Sequence, residues 1–292
     1  MQIVFHIGAH ETDADRLIWA LRANPNILRE AGTVVPRPKQ YRRILQDAVN
    51  TLQGIQTTPE TEVTILDAIQ GNAEGDRLVL SNESFLCLPQ RVLDDAKLYG
   101  RAYKSEWLRN IFPSAEVVFA IAMRDPASFV PALYRRLGES DDAFEDFLGG
   151  IDPHKLVWSD VLTRLTRAAP DARVITWCNE DTPLVWPEIL RSVANIPPDA
   201  PIEGGYAPAR ELLTPEGQEQ FDKAMSELNP RNHLGIKQVV AALLTHFAQE
   251  DALEEEIDLP GWTELLMEDL SRNYDADMAQ VTALPGVTFI SP

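Results

Sequence analysis

Between His6 and Asp15 the chain reads HIGAHETDAD, placing His6, His10, Glu11, Asp13 and Asp15 within ten positions. Such groups suit three kinds of chemistry. A histidine or carboxylate near a reacting hydroxyl can act as a general base, and His6, His10, Glu11 and the more distant Glu83 are the candidates. Nitrogen and oxygen ligands can hold a divalent cation, and His10, Glu11, Asp13 and Asp15, with His6, would supply them. Their spacing matches no metal motif, so no metal ligand is assigned. Carboxylates and hydroxyls can also cap a helix: Thr12-Asp13-Ala14-Asp15 fits a capping box in which Thr12 and Asp15 satisfy the first free N–H groups.

The segment's position is that of a phosphate-binding loop. It follows an apolar run, Ile3–Ile7, and precedes Arg16–Ala23, where Leu17, Ile18 and Leu21 stand at helical spacing. A loop that leaves a buried strand and enters a helix offers backbone N–H groups at the positive end of the helix dipole. Phosphate loops add glycines for close approach and a lysine for charge. This loop is acidic instead.

Further β-rich runs occur at Thr33–Val35, Leu78–Ser81, Val117–Met123 and Arg173–Trp177. Several are apolar throughout, as strands covered on both faces are. Helical patterns lie between them: one from Pro25 to Gly32, then Ala127–Leu137 and Val157–Ala168. Alternation of this kind predicts an α/β fold with a parallel sheet of about five strands flanked by helices, and ligands at the strands' carboxyl ends. From about residue 206 the pattern turns helical, with candidates at Pro215–Leu228, Gly235–Gln249 and Trp262–Tyr274. The acidic run EDALEEEID reads as a solvated linker, and the closing LPGVTFI as a short strand. One domain over 1–292 is expected, an α/β core to 205 and a mostly helical portion after it.

The chain has 292 residues, 45 acidic against 26 basic, and a formal net charge of −19. That surface repels nucleic acid and anionic membranes, so neither is an expected partner. No apolar run approaches the ~18 residues of a membrane span, and no leader is evident at the N-terminus, so a cytoplasmic location is expected. Cys87 and Cys178 lack metal or redox spacing and read as buried free thiols. The basic cluster RPKQYRR (Arg37, Lys39, Arg42, Arg43) is either a solvated helix start or a receiver for an anion. His154, His233 and His246 have no partner pattern, and Trp158, Trp177, Trp186 and Trp262 read as core. GxSxG, HExxH and GxGxxG are absent.

IVFHIGAHETDADRLIWAL resembles the opening of bacterial sulfotransferase-like proteins, whose first strand leads into a loop of the form HIGxxKTGTTxLQ. RLVLSNESF and LRNIFPSAEVVFAIAMRDPASFVPALYRR resemble two further segments of that family, over roughly the first 180 residues. The resemblance implies a P-loop-type α/β fold that transfers a sulfuryl group from 3′-phosphoadenosine 5′-phosphosulfate (PAPS). It assigns Thr12, Arg124 and Tyr134 to cofactor binding, with Arg124 at the position of the arginine that holds the 3′-phosphate. It also exposes departures. The loop lysine is Glu11, the glycine is Asp13, the hydroxyl pair is Ala14 and Asp15, and the serine partnering the arginine falls on Ala132. No C-terminal RKGxxG-type phosphate loop is present.

A unit charge pair at ~4 Å is worth roughly 4 kcal/mol at an effective dielectric near 20. Reversing the lysine's sign therefore removes three or more orders of magnitude in nucleotide affinity, at about 1.4 kcal/mol per tenfold. The expectation is a sulfotransferase-like protein with a degenerate donor site and a binding role toward an unknown small molecule or protein. Two alternatives stand beside it. One is an active sulfotransferase that still binds PAPS, or its product 3′-phosphoadenosine 5′-phosphate (PAP), through relocated cations such as Arg16, Arg135, Arg136 or the RPKQYRR cluster. The other is a metal site at the acidic loop.

Overall fold

A computed structural model describes residues 1–138, 143–228, 232–249 and 257–292, without the side chain of His233. Most of the acidic run that begins at Glu250 lies outside the described residues.

Each expected strand forms within a residue or two of its sequence pattern. They are β1 (Gln2–His6), β2 (Thr33–Val34), β3 (Arg77–Ser81), β4 (Glu116–Met123) and β5 (Arg173–Cys178). The closing run adds β6 (Val287–Ile290), so the sheet has six strands rather than about five. All pairings are parallel, in the order β2-β3-β1-β4-β5-β6. The C-terminal portion thus returns to the sheet through β6.

The alternating sides of the strands feed two cores. Ile3 and Phe5 of β1, with Phe119 and Ile121 of β4, face helices α3 (Pro38–Leu52), α5 (Lys104–Ile111), α6 (Pro126–Leu137), α8 (Trp158–Ala168) and α13 (Glu264–Thr282). Val4, Val118, Ala120 and Trp177 face α1 (Arg16–Arg22), α2 (Pro25–Glu30) and α9 (Thr182–Ala194). Burial on both faces explains why the strands read as apolar runs rather than as alternating ones. Trp158, Trp177 and Trp186 are fully buried and Trp262 nearly so, and both cysteines are buried free thiols. A smaller cluster joins α10 (Ala207–Glu211), α11 (Pro215–Glu227) and α12 (His233–Phe247) beside α9. The remaining helices are α4 (Pro59–Gln70) and α7 (Phe144–Leu148).

Helix α9 carries Pro183 in its first turn and Pro187 inside it, and its sequence gives little helical signal. Burial of Val185, Trp186, Ile189, Leu190 and Val193 against the sheet overrides that weak propensity. Likewise α3 and α4 occupy most of the 37–74 segment for which no secondary structure is legible beyond a helix start. Among the described residues no helix is long and apolar enough to cross a membrane.

Candidate functional site

The strand order reverses direction at β1, with β3 on one side and β4 on the other. In open parallel sheets a crevice forms outside the carboxyl ends of the strands at such a switch point. The loop of residues 7–15 lies there and is held to β4 by its backbone. Ile7 and Ala9 donate to Ala120 and Ala122, and Ala122 donates back to Gly8, at 2.8–3.2 Å. Gly8 has φ +107°, and a Cβ on it would come within 3.1 Å of the His10 nitrogen. Only glycine fits this bend without strain.

The carboxylates of the loop do not form the expected capping box. Asp15 is the N-cap of α1 in a left-handed conformation and makes no capping bond. Its carboxylate instead receives a bidentate interaction from Arg42 of α3, with Nη1 at 3.0 Å. Thr12 Oγ1 turns back to donate to Ala9 O at 2.7 Å. Asp13 takes over the capping role by accepting from the Leu17 N–H at 3.1 Å. The physical reason is the strained turn at Glu11, Ala14 and Asp15, all with positive φ, which points Thr12 away from the helix start.

Glu11 accepts from Arg136 Nη1 of α6 at 2.8 Å, and the same guanidinium bridges to both oxygens of Glu83 after β3, with Nη1 at 3.0 Å from Oε2. Each of the three side chains keeps about a quarter to a third of its surface in water. The two carboxylates raise the pKa of Arg136. A recess of about 250 Å³ beside this triad is lined by Glu11, Thr12, Asp13, Arg16, Glu83 and Arg136.

Arg124 follows β4 and donates from Nη1 to the Glu11 carbonyl at 2.8 Å and from Nε to Ser128 Oγ at 3.1 Å. The serine beside this arginine is therefore Ser128, one helical turn along. Ala132 stands a further turn away. Tyr134 lies in the core at 1% exposure, packed on Phe144 and Phe147. Ala14 is exposed at the turn.

A cleft of about 620 Å³ opens beside this arginine, with Thr12, Arg16, Arg124, Ser128, Glu180 and Ser271 among its walls. Two carboxyls that sequence reading missed, Asp125 and Glu180, also line it. Glu180, after β5, accepts from the Asp125 N–H at 2.8 Å and from the Tyr274 hydroxyl at 3.1 Å. Asp125 accepts from Ala127 N–H and from Ser271 Oγ. Desolvation raises the pKa of each carboxyl above its ordinary value; Asp275 adds to the rise at Asp125, and Asp125 adds to the rise at Glu180. Asp125 had a local signal, an acidic residue just before a proline-started helix. Glu180 had none, because its partners come from β4 and α13.

The two histidines point into the protein. His10 is fully buried, bonds the Tyr99 hydroxyl through both its backbone N–H and Nδ1, and stacks on that ring. Burial lowers its pKa to about 4; Glu83 opposes that shift and Arg136 adds to it. His6 Nδ1 lies 2.9 Å from Ser81 Oγ, and its ring stacks on Trp177. With His10 on Tyr99, Glu11 on Arg136 and Asp15 on Arg42, the loop's possible metal ligands point to different partners. Among the described residues no group of three His, Cys, Asp or Glu side chains could hold a metal ion. Within RPKQYRR, Arg42 alone reaches the loop, while Arg43 faces Asp47 on the exposed side of α3. His154 pairs with Asp152.

The site is thus that of a six-stranded parallel α/β protein with a self-paired acidic loop at its switch point. No family model and no curated protein matches the chain. Among solved structures it is similar to the sulfotransferase domain from the Synechococcus PCC 7002 olefin synthase, at 12% identity and TM-score 0.35 over 93% of each chain. At that score the overlap is loose, and the functional reading rests on the residues themselves.

Proposed function

We propose that this chain is a sulfotransferase-like protein that has given up the PAPS site and acts by binding a small molecule or protein in the cleft at the carboxyl ends of the strands. One observation carries the reading: Glu11, at the position where the resembling family has its lysine, is paired with Arg136, which is paired in turn with Glu83. The loop's carboxylates occupy its cations and one free helix N–H, and little positive charge is left for a phosphosulfate. The cleft supports a binding role, having both arginines and protonatable carboxyls on its walls.

The test is a calorimetric titration with PAP, run on the native chain and on a Glu11→Lys, Asp13→Gly variant, with and without Mg²⁺. The expected result is no binding by the native chain and measurable binding by the variant. Micromolar binding by the native chain would overturn the reading. Arg16 in the cleft would then be a relocated cation of a working transferase, acting beside Arg124, and screening of hydroxyl and amine acceptors would follow.

A further inference from the structure

A second cavity, of about 320 Å³, lies between α9 and the α10–α12 cluster and shares no lining residue with the cleft. Helix α10 divides the two: Ala207 and Arg210 face the cavity, Pro208 and Glu211 the cleft. The volume is in the range of small-molecule sites, which are mainly apolar with a few placed polar groups. Tyr206, Phe221, Met225, Leu228 and Ile236 supply the apolar walls.

The polar groups of this cavity are one-sided. In a chain with 45 acidic and 26 basic residues, no carboxylate lines it among the described residues, and two arginines do. Arg210 is held by both oxygens of Asp222 at 2.8 Å. Arg191 makes no ion pair among the described residues. Its Nη2 donates to Ala200 O at 3.2 Å, and its buried Nε has no partner. Glu188, one turn earlier on α9, meets Lys237 at 3.3 Å through Oε1 and makes no hydrogen bond to Arg191; its charge raises the Arg191 pKa, but burial lowers it by more. A half-buried guanidinium with spare donors at an apolar wall is poorly satisfied, and an anionic oxygen would complete it.

We propose that this cavity binds an amphipathic organic acid, with its apolar body against Tyr206, Phe221, Met225 and Ile236 and its carboxylate on Arg191. The proposal uses no feature of the acidic loop, so it stands or falls separately from the nucleotide titration.

The test is calorimetry on the full chain with 2-naphthoate and its neutral counterpart 2-naphthamide. The native chain is expected to bind the acid at least about tenfold more tightly, the scale of one charge-assisted hydrogen bond. Arg191→Gln should erase that preference while leaving amide binding intact, and Arg191→Lys should keep part of it. Ala207→Phe, which fills the cavity from α10, should abolish binding of both. Circular dichroism checks that each variant is folded; if a variant is not, the acid–amide comparison on the native chain decides. Equal binding of acid and amide, binding of neither, or unchanged binding in folded Ala207→Phe overturns the proposal.

Discussion

Arg136 and Glu11 stand 125 residues apart in sequence and meet at 2.8 Å across the mouth of the loop. The arginine arrives from α6 after β4, and the glutamate from the turn after β1, two strands that are neighbours in the sheet. The pair places a cation at the loop and consumes it there.

Removing that cation leaves two carboxylates facing one another. Arg136→Gln is expected to destabilise the fold by about 1 kcal/mol, the upper range for partly exposed pairs, with a larger loss at low salt than at high salt. Urea unfolding at two ionic strengths measures it. A loss independent of salt would show that packing of the arginine stem, rather than the charge, is what matters.

His10 sets a pH dependence. Its folded pKa of about 4 lies below the ordinary 6.5, so the unfolded chain takes up a proton first as pH falls. Its stabilising contribution is complete above pH 6.5, declines as pH falls from there to about 4, and is lost below. The full swing is roughly 3 kcal/mol at 1.36 kcal/mol per pH unit. His10→Gln should flatten this part of the stability profile. In the native protein the His10 imidazole should stay neutral at pH 5.5 by NMR, and a midpoint near 6.5 would contradict the burial argument.

Asp277 of α13 caps another helix. Its Oδ2 accepts from the N–H groups of Trp158 and Ser159 at 2.7 and 3.0 Å, where α8 has no capping side chain of its own. The Trp158 indole in turn donates to Arg124 O at 2.8 Å, so the cap steadies the backbone of the site's arginine. Asp277→Ala should cost about 2 kcal/mol, the sum of a lost cap and unsatisfied buried donors. Chemical denaturation checks this, and a loss within error of zero would show that solvent replaces the carboxylate.

Gly8→Ala should cost about 1–3 kcal/mol, since φ +107° strains any side chain and the added Cβ meets His10 at 3.1 Å. The same variant should weaken any ligand bound in the cleft, because the bend at Gly8 sets the position of Glu11 and Thr12. Thermal unfolding and the cleft titrations read the two effects separately.

Much of the sheet was legible because strands buried on both faces must be apolar along their length. Val117–Met123 and Arg173–Trp177 announced themselves in this way. Helix α9 did not, because Pro187 speaks against a helix interior that sheet packing stabilises. At the site, the negative charge of Glu11 could be read directly from the loop. The fate of that charge could not. Local pattern suggested that Thr12 and Asp15 cap α1, whereas Asp13 caps it and Asp15 turns to Arg42.

The sequence by itself determined the parallel α/β class, the strand–loop–helix at the chain start and the acidic character of that loop, because these follow from hydrophobic periodicity and residue type over short spans. Only the tertiary structure decided which cation answers each carboxylate, that Ser128 rather than Ala132 meets Arg124, that Tyr134 is core, and that Asp125 and Glu180 share a cleft. The Arg124–Ser128 contact is local, four residues apart. The pairings of Asp15 with Arg42, Glu83 with Arg136 and Asp125 with Ser271 depend on strand order and helix docking, which bring together groups 27 to 146 residues apart, and no local pattern encodes such distances.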